Sequence, residues 1–385
     1  MSERLGAIAR SRVARAVWWA AVVVVALALP LYLESFWLQT ALFAMAAVIG
    51  AIGLTLLVGI AGQLSLGHAF FVAIGAYGYA YLSGAEARGA EGASGLGLPP
   101  LVALVAAVLL AGLAGALFSP IAGRLRGIYL GLASLGLVFL GQHILFNATS
   151  LTGGFNGRDV EPFSLLGFTF ANNDPDELEI LGVDYGALER LWYLGLALMA
   201  FAWWYAHNLV AGRPGRAMAA MRDSEVAGAV MGVDVTRYKA AAFTLSSMYA
   251  GLGGVLMALA FGRIVPDSFG LLLSIDFLVM IVIGGIGSVG GAVVGAVFVT
   301  ALPLVLNRYS DSLPLLAEPG SGGIAAPEFS RIVYGLAIIL VLLFAREGIG
   351  GLGRRLLAPL SRDRRLPSAE PPRTTPPSDV KESVT

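Results

Sequence analysis

Residues 212–239 read GRPGRAMAAMRDSEVAGAVMGVDVTRYK, and the apolar, glycine-rich sequence on either side is unlike them. Charge is dense here: Arg213, Arg216, Arg222, Asp223, Glu225, Asp234, Arg237 and Lys239. The pattern predicts two short helices. Good helix formers run from Arg216 to Arg222, and Asp223-Ser224 then offers an N-cap, with Glu225 placed well for the helix dipole. Val226 to Met231 continues for about two turns, and Gly232 is a natural residue for leaving a helix. A two-turn helix is marginal alone in water, so something must hold it. Local sequence leaves two supports open, the rest of its own chain or a groove in a partner protein.

The surroundings set the context. The chain has 385 residues, 57% hydrophobic and 13% charged, with a mean hydropathy of +0.79. Soluble domains carry about 25% charged residues, so the composition is that of an integral membrane protein. Fifty glycines suit helices whose backbones approach closely in a membrane bundle. No cysteine is present, which excludes disulfides and thiolate metal sites. Net charge is zero, and no nucleic-acid partner is expected.

Apolar segments predict about ten transmembrane helices in an all-α polytopic protein. They lie near 16–33, 37–60, 64–83, 99–121, 127–147, 190–209, 239–262, 271–287, 289–307 and 331–345. The first follows Arg10, Arg12 and Arg15, and Ala26-Leu27-Ala28 resembles a cleavage site, but the run is long enough to span, so an uncleaved helix is expected. Segments 64–83 and 271–307 are glycine-rich and polar in places, as broken or re-entrant helices are. Basic residues near span ends place the N- and C-termini inside. Residues 1–15, Arg124, Arg126 and the 212–239 loop then fall inside. The 149–189 loop, acidic apart from Arg158, falls outside. The expected organisation is a permeating membrane domain over 16–346 and an inner tail over 347–385, largely disordered, with basic residues that include Arg354, Arg355 and Arg362. Residues 59–75 (GIAGQLSLGHAFFVAIG) and 284–295 (GGIGSVGGAVVG) share glycines followed by Ser-x-Gly, at Ser65 and Ser288, as transporter repeats do.

Energy-converting chemistry is absent from the sequence. A phosphate-binding G-x-x-x-x-G-K-[ST] loop needs a lysine after its glycines, and the two lysines, Lys239 and Lys381, have no such context. The histidines His68, His143 and His207 fall on separate spans without a HExxH or carboxylate cluster, so no metal site is expected. Ser65 and His68 share a helix face, but no oxyanion hole or orienting acid accompanies them. Asp276 stands within LLLSIDFLVMIVIGG near the outer end of its span, and an intramembrane carboxylate points to a pathway or a helix-end contact. Gln142, His143 and Asn147 form a polar patch at the outer end of the fifth span, suited to inter-helix hydrogen bonding. No ladder of intramembrane carboxylates suggests a proton-driven carrier.

Four motifs, taken in order, resemble the LivM-type permease subunits of branched-chain amino-acid ABC importers. They are GQLSLGHAF at 62–70, LRGIYL at 125–130, SLTGGFNG at 150–157, and the 215–239 stretch. The resemblance runs over roughly 38–306 and implies the bundle of an ABC importer permease. It implies that Arg222, Asp223, Glu225, Ala227 and Gly232 form the ATPase-coupling site, although the spacing of the family's EAA---G pattern is only approximated and Val226 departs from it. Gln63, Ser65, Gly67, His68, Asp276 and Ser288 are the candidates for the translocation path or gate. Thr152, Gly153, Gly154 and Asn156 are the candidates for contact with a binding protein.

The implied partners are two ATPase subunits carrying ATP and Mg²⁺, a second LivH-type permease, a periplasmic or lipid-anchored substrate-binding protein, and the bilayer of a bacterial inner membrane. No cofactor is expected on this chain. The resemblance implies uptake of the branched-chain amino acids leucine, isoleucine and valine, with urea or short amides as the alternative substrates. An ion-coupled secondary carrier and an intramembrane enzyme remain the competing classes.

Overall fold

The computed structural model describes residues 17, 20–85, 94–125, 127–165, 168–170, 179–180, 183–184, 186–309 and 326–344. The N-terminal segment 1–15, Arg126, most of 171–185 and the tail 347–385 lie outside the described residues.

Each of the ten predicted segments contains a helix. They are α1 (Ala20–Leu31), α2 (Ser35–Leu54, extended to Ile60 by a wider π turn), α3 (His68–Ser83), α4 (Pro100–Arg124) and α5 (Ile128–Asn147). After the single turn α6 (Thr149–Thr152) comes α7 (Ala187–Ala211), and the charged stretch forms α8 (Arg213–Asp223) and α9 (Glu225–Val230). The chain continues through α10 (Val235–Phe261), α11 (Leu271–Gly284), α12 (Val289–Tyr309) and α13 (Ala326–Phe344). Among the described residues six of these, α2 with its extension, α4, α5, α7, α10 and α12, are long and apolar enough to cross a membrane. Short antiparallel ladders decorate one end: β1 (Arg158–Asp159) with β6 (Arg263–Ile264), β2 (Ser164–Leu165) with β3 (Phe168–Thr169), and β4 (Glu179–Ile180) with β5 (Val183–Asp184).

α2 and α10 are the axis of the bundle. In the most apolar 18-residue window of α2, 83% of residues are buried, and 72% in α10, against 33% in α5 and 17% in α7. A helix that is apolar all round, as α2 is, gains most when other helices surround it. α10 packs on α2, α3 and α4, and glycines set the spacing. A Cβ on Gly75 would overlap the backbone of Gly251, and one on Gly254 would overlap the carbonyl of Val72. These crossings of α3 and α10 therefore bring backbone against backbone, the geometry that favours small residues in membrane helices.

The third and eighth segments are shorter than their sequence suggests. α3 starts at His68 rather than 64, and its 16 residues rise only about 24 Å, short of a hydrocarbon core of about 30 Å. Leu64–Gly67 precedes it as non-helical chain, with Ser65 and Gly67 buried and Leu64 and Leu66 half-buried, entered through Gly62 at φ 71°. α11 has 14 residues. Both predicted segments are interrupted by non-helical chain, Leu64–Gly67 before α3 and Gly285–Ser288 between α11 and α12.

Loops that the charge pattern assigns to one side meet in space. The turns after α2 and α11 and the end of α8 converge near Gly59, Arg222 and Gly287. At the other end Ser94, Ser150, Arg158 and Arg263 meet through Ser94 N–H to Ser150 O (3.2 Å), Arg158 Nη1 to Ser94 O (2.8 Å) and the β1–β6 ladder.

Replacing Gly254 by valine should overpack the α3–α10 crossing at a cost of about 1–3 kcal/mol, seen as a clearly lower melting temperature in detergent. Gly136→Val on α5, where an added Cβ meets nothing within 4 Å, should leave melting nearly unchanged. Equal effects of the two would refute this account of the packing.

Candidate functional site

The connection between α2 and α3 carries most of the predicted path residues, and its backbone explains why it is held so closely. Outside a helix, Leu64–Gly67 must find partners for its N–H groups in apolar surroundings. The N–H of Leu66 donates to Ser134 Oγ of α5 (2.8 Å), that of Gly67 to Ser65 Oγ (3.3 Å), and that of Ala69 to Ser274 Oγ of α11 (3.0 Å). Gln63 N–H donates to Leu57 O at 3.0 Å. Short hydroxyl side chains from two other helices thus replace the missing helical bonds.

The predicted path residues Gln63, Ser65, Gly67 and His68 are gathered here and are all buried. Gln63 is only 4% exposed, and among the described residues its amide Nε2 and Oε1 have no hydrogen-bond partner, nor does Thr55 Oγ1 in the π turn. An unsatisfied buried polar group costs about 1–3 kcal/mol, and π turns recur at functional sites. His68 turns to α2 and α11: its Nε2 lies 2.9 Å from Gly50 O, and its ring meets Phe277 edge-on at 4.8 Å. Ser65 is engaged with Gly67, so the pair is not arranged as a hydrolytic Ser–His couple.

Ser288 belongs to the facing turn. Its Oγ accepts the Gly291 N–H at 3.1 Å and caps α12. The two turns compared as a repeat touch directly: a Cβ on Gly59 would stand 2.5 Å from Gly287 N, and Gly287 itself has φ 86°. They differ in capping, because Ser65 serves its own loop while α3 borrows Ser274 from α11.

The charged stretch is locked to this seam. Arg222 Nη1 donates to Gly59 O at 2.8 Å, and its side-chain stem lies against Gly62. The same guanidinium pairs with Asp223 at 3.1 Å. Ser224 is the N-cap of α9, accepting the Ala227 N–H at 3.2 Å, and Asp234 caps α10 through Arg237 N–H at 3.1 Å. Glu225 reaches back to Lys239 at 2.6 Å, with the lysine side chain only 6% exposed.

Of the five predicted coupling residues, then, Arg222, Asp223 and Glu225 form ion pairs or hydrogen bonds within their own chain, while Ala227 and Gly232 are exposed, as is the Asp223 side chain apart from its bond to Arg222. The outward face of α9 and its exit also carries Val226, Val230 and Met231, exposed by 72%, 84% and 67%. None of the three is among the predicted coupling residues, although Val226 and Val230, four apart in an otherwise charged segment, have the spacing of one helix face.

At the opposite end, Thr152 is buried, donating from Oγ1 to Leu145 O (2.6 Å) and accepting Gly154 N–H (3.1 Å). Gly153 and Gly154 take positive φ in the same turn. Asn156 is exposed, with its carbonyl accepting from Arg263 (2.8 Å), and neighbouring Phe155 is 80% exposed. Arg158 anchors the whole turn: its buried guanidinium donates to Ser94 O and Leu151 O, both at 2.8 Å, and lies over the Tyr81 ring. Asn147 Nδ2 donates to His143 O at 2.7 Å, within α5 rather than between helices. Asp276 lies apart from the inner seam, on α11, where its Oδ1 accepts from Tyr334 of α13 at 2.9 Å.

Comparison with known proteins matches this arrangement to a single family. Residues 36–342 match the model of the branched-chain amino acid transport system permease component. The chain is 30% identical over 357 residues to the high-affinity branched-chain amino acid transport system permease protein LivM of Salmonella typhimurium, covering 90% of this chain and 77% of that one. It is 26% identical over 309 residues to LivH of Escherichia coli K12 (78% and 90% covered). Against the ribose import permease RbsC of the same organism it is 25% identical over 252 residues (65% and 70%). No solved structure matches. The chain is a multi-pass membrane protein and belongs to the branched-chain amino acid transport system permease family.

Proposed function

We propose that this chain is the transmembrane permease subunit of an ABC importer that takes up leucine, isoleucine and valine. It works beside a second, LivH-type permease, two ATPase subunits that bind ATP and Mg²⁺, and a periplasmic or lipid-anchored substrate-binding protein. Its place is the bacterial inner membrane, with about ten spans and both termini in the cytoplasm. Family membership and the likeness to LivM support the substrate.

The observation that carries the coupling role is the two-sidedness of α9. One side is pinned through Glu225–Lys239, and the other presents Val226, Val230 and Met231 bare. An exposed apolar cluster on a charged loop favours a protein partner, and the pinned side makes the helix a rigid handle. Arg222 gives that handle a grip on Gly59, where α2 ends and the largely buried 63–68 run begins. ATPase docking and separation would shift α8–α9 and, through Arg222, the inner turn with Gln63, Ser65, Gly67 and His68, opening one side of the bundle and then the other. The binding protein would approach the opposite end, near Phe155 and Asn156.

Val230→Asp should abolish co-purification of the ATPase subunits, because a charge replaces an apolar contact. Retention of both subunits would remove α9 as the docking element. Arg222→Met should keep the complex intact but lower ATP-driven uptake in proteoliposomes roughly tenfold or more, from loss of a charged hydrogen bond worth about 1.5–3 kcal/mol. Gradient-driven uptake by this chain alone, without ATPase subunits, would overturn the importer reading.

A further inference from the structure

Resting on that reading, we propose that Asp276 holds the substrate's ammonium group within the membrane domain while the substrate's aliphatic side chain sits in the adjoining apolar chamber. Asp276 lies in a helix whose neighbouring residues are apolar. One carboxylate oxygen accepts from Tyr334, and among the described residues no cation pairs with the group. A half-buried carboxylate on an apolar helix is stabilised in its charged form by a cation brought beside it. A ligand ammonium supplies one.

The surroundings of Asp276 define the rest of such a ligand. The residue lines two cavities at once. The first, about 340 Å³, is a polar vestibule beside the start of α11, with Gln142, Asp267 and Ser268 in its wall. The second, about 290 Å³, lies between α2, α10, α11 and α12, and is lined by Phe43, Met257, Phe277, Met280 and Leu304. Its polar exceptions are Asp276 itself and Thr300, whose buried Oγ1 has no partner among the described residues.

A molecule that satisfies both cavities carries a cationic head and a compact aliphatic body. Small-molecule pockets run from roughly 300 to 1,000 Å³, and the chamber, at the lower end of that range, suits a compact aliphatic side chain. Asp267 at the vestibule favours entry of the ammonium end. The Gln142 amide and Ser268 hydroxyl remain to meet the carboxylate of an α-amino acid. A metal cation would satisfy Asp276 but gain nothing from the apolar chamber, and this distinction decides the test.

The experiment uses the complete importer with its binding protein in proteoliposomes, comparing uptake of radiolabelled leucine and valine. Asp276→Asn, which keeps shape and removes charge, should lower uptake of both at least tenfold while the subunits still co-purify, and Asp276→Glu should restore part of it. Thr300→Met, which fills the chamber, should depress leucine uptake at least threefold more than valine uptake. The leucine-to-valine ratio is read within one preparation, so poor folding cancels, and it decides the matter even if Asp276→Asn fails to assemble. Full uptake by Asp276→Asn, or an unchanged ratio in Thr300→Met, overturns the proposal. Failure of the unaltered importer to move either amino acid would instead overturn the importer reading on which it rests.

Discussion

Between Gln63 and His68 the chain runs outside a helix with most of its residues buried, and the need to satisfy those backbone groups organises much of the bundle. In hydrocarbon each unpaired N–H or C=O is costly, so irregular backbone survives only where protein supplies the partners. Here the partners are Ser134 from α5 and Ser274 from α11, two helices distant in sequence. The same run is therefore a local weakness and a three-way junction. Helices held together through hydroxyl-to-backbone bonds can exchange partners at modest cost, because each such bond is worth only about 1 kcal/mol net. A fully helical α2–α3 connection would offer no such freedom.

Rigidity lies elsewhere. α2 and α10 are enclosed, and glycine crossings at Gly75 and Gly254 leave no room for sliding without backbone overlap. A stiff axis with a re-pairable seam at one end is suited to tilting motions, since packed interiors switch between arrangements rather than deform continuously. Arg222 ties the charged stretch to the seam rather than to the axis, because its partner is the carbonyl of Gly59 at the exit of the π turn.

The helices were legible from sequence because a membrane span is a composition signal, and the cap at Ser224 because capping is local chemistry. What the sequence concealed was direction. Arg222 reads as a surface charge, yet its partner lies 163 residues earlier, and no local rule points there. Glu225 reads as a dipole-favouring first-turn residue, which it is, but Lys239 claims its carboxylate. The central place of α10 was equally hidden. Its mean hydropathy of 1.5 is lower than the 2.7 of α4, yet α10 is the more buried, because small residues rather than apolar ones let helices enclose it. Ser134 and Ser274 resemble ordinary helix serines until the unpaired loop they serve is seen.

α11 joins these features. In 14 residues, a rise of about 21 Å, it carries Ser274 against the seam and, two positions on, Asp276 at the proposed ligand site. Its far end enters the Gly285–Ser288 turn, which touches Gly59 next to Arg222. A displacement of Arg222 thus reaches Asp276 through one short, continuous helix. If ligand at Asp276 favours one arrangement of α11, that arrangement in turn favours one position of α8–α9, because coupling between two binding events is reciprocal. The energetic link between substrate and ATPase then needs no long relay of side chains, only a helix anchored to the path at one end and to the cytoplasmic handle at the other.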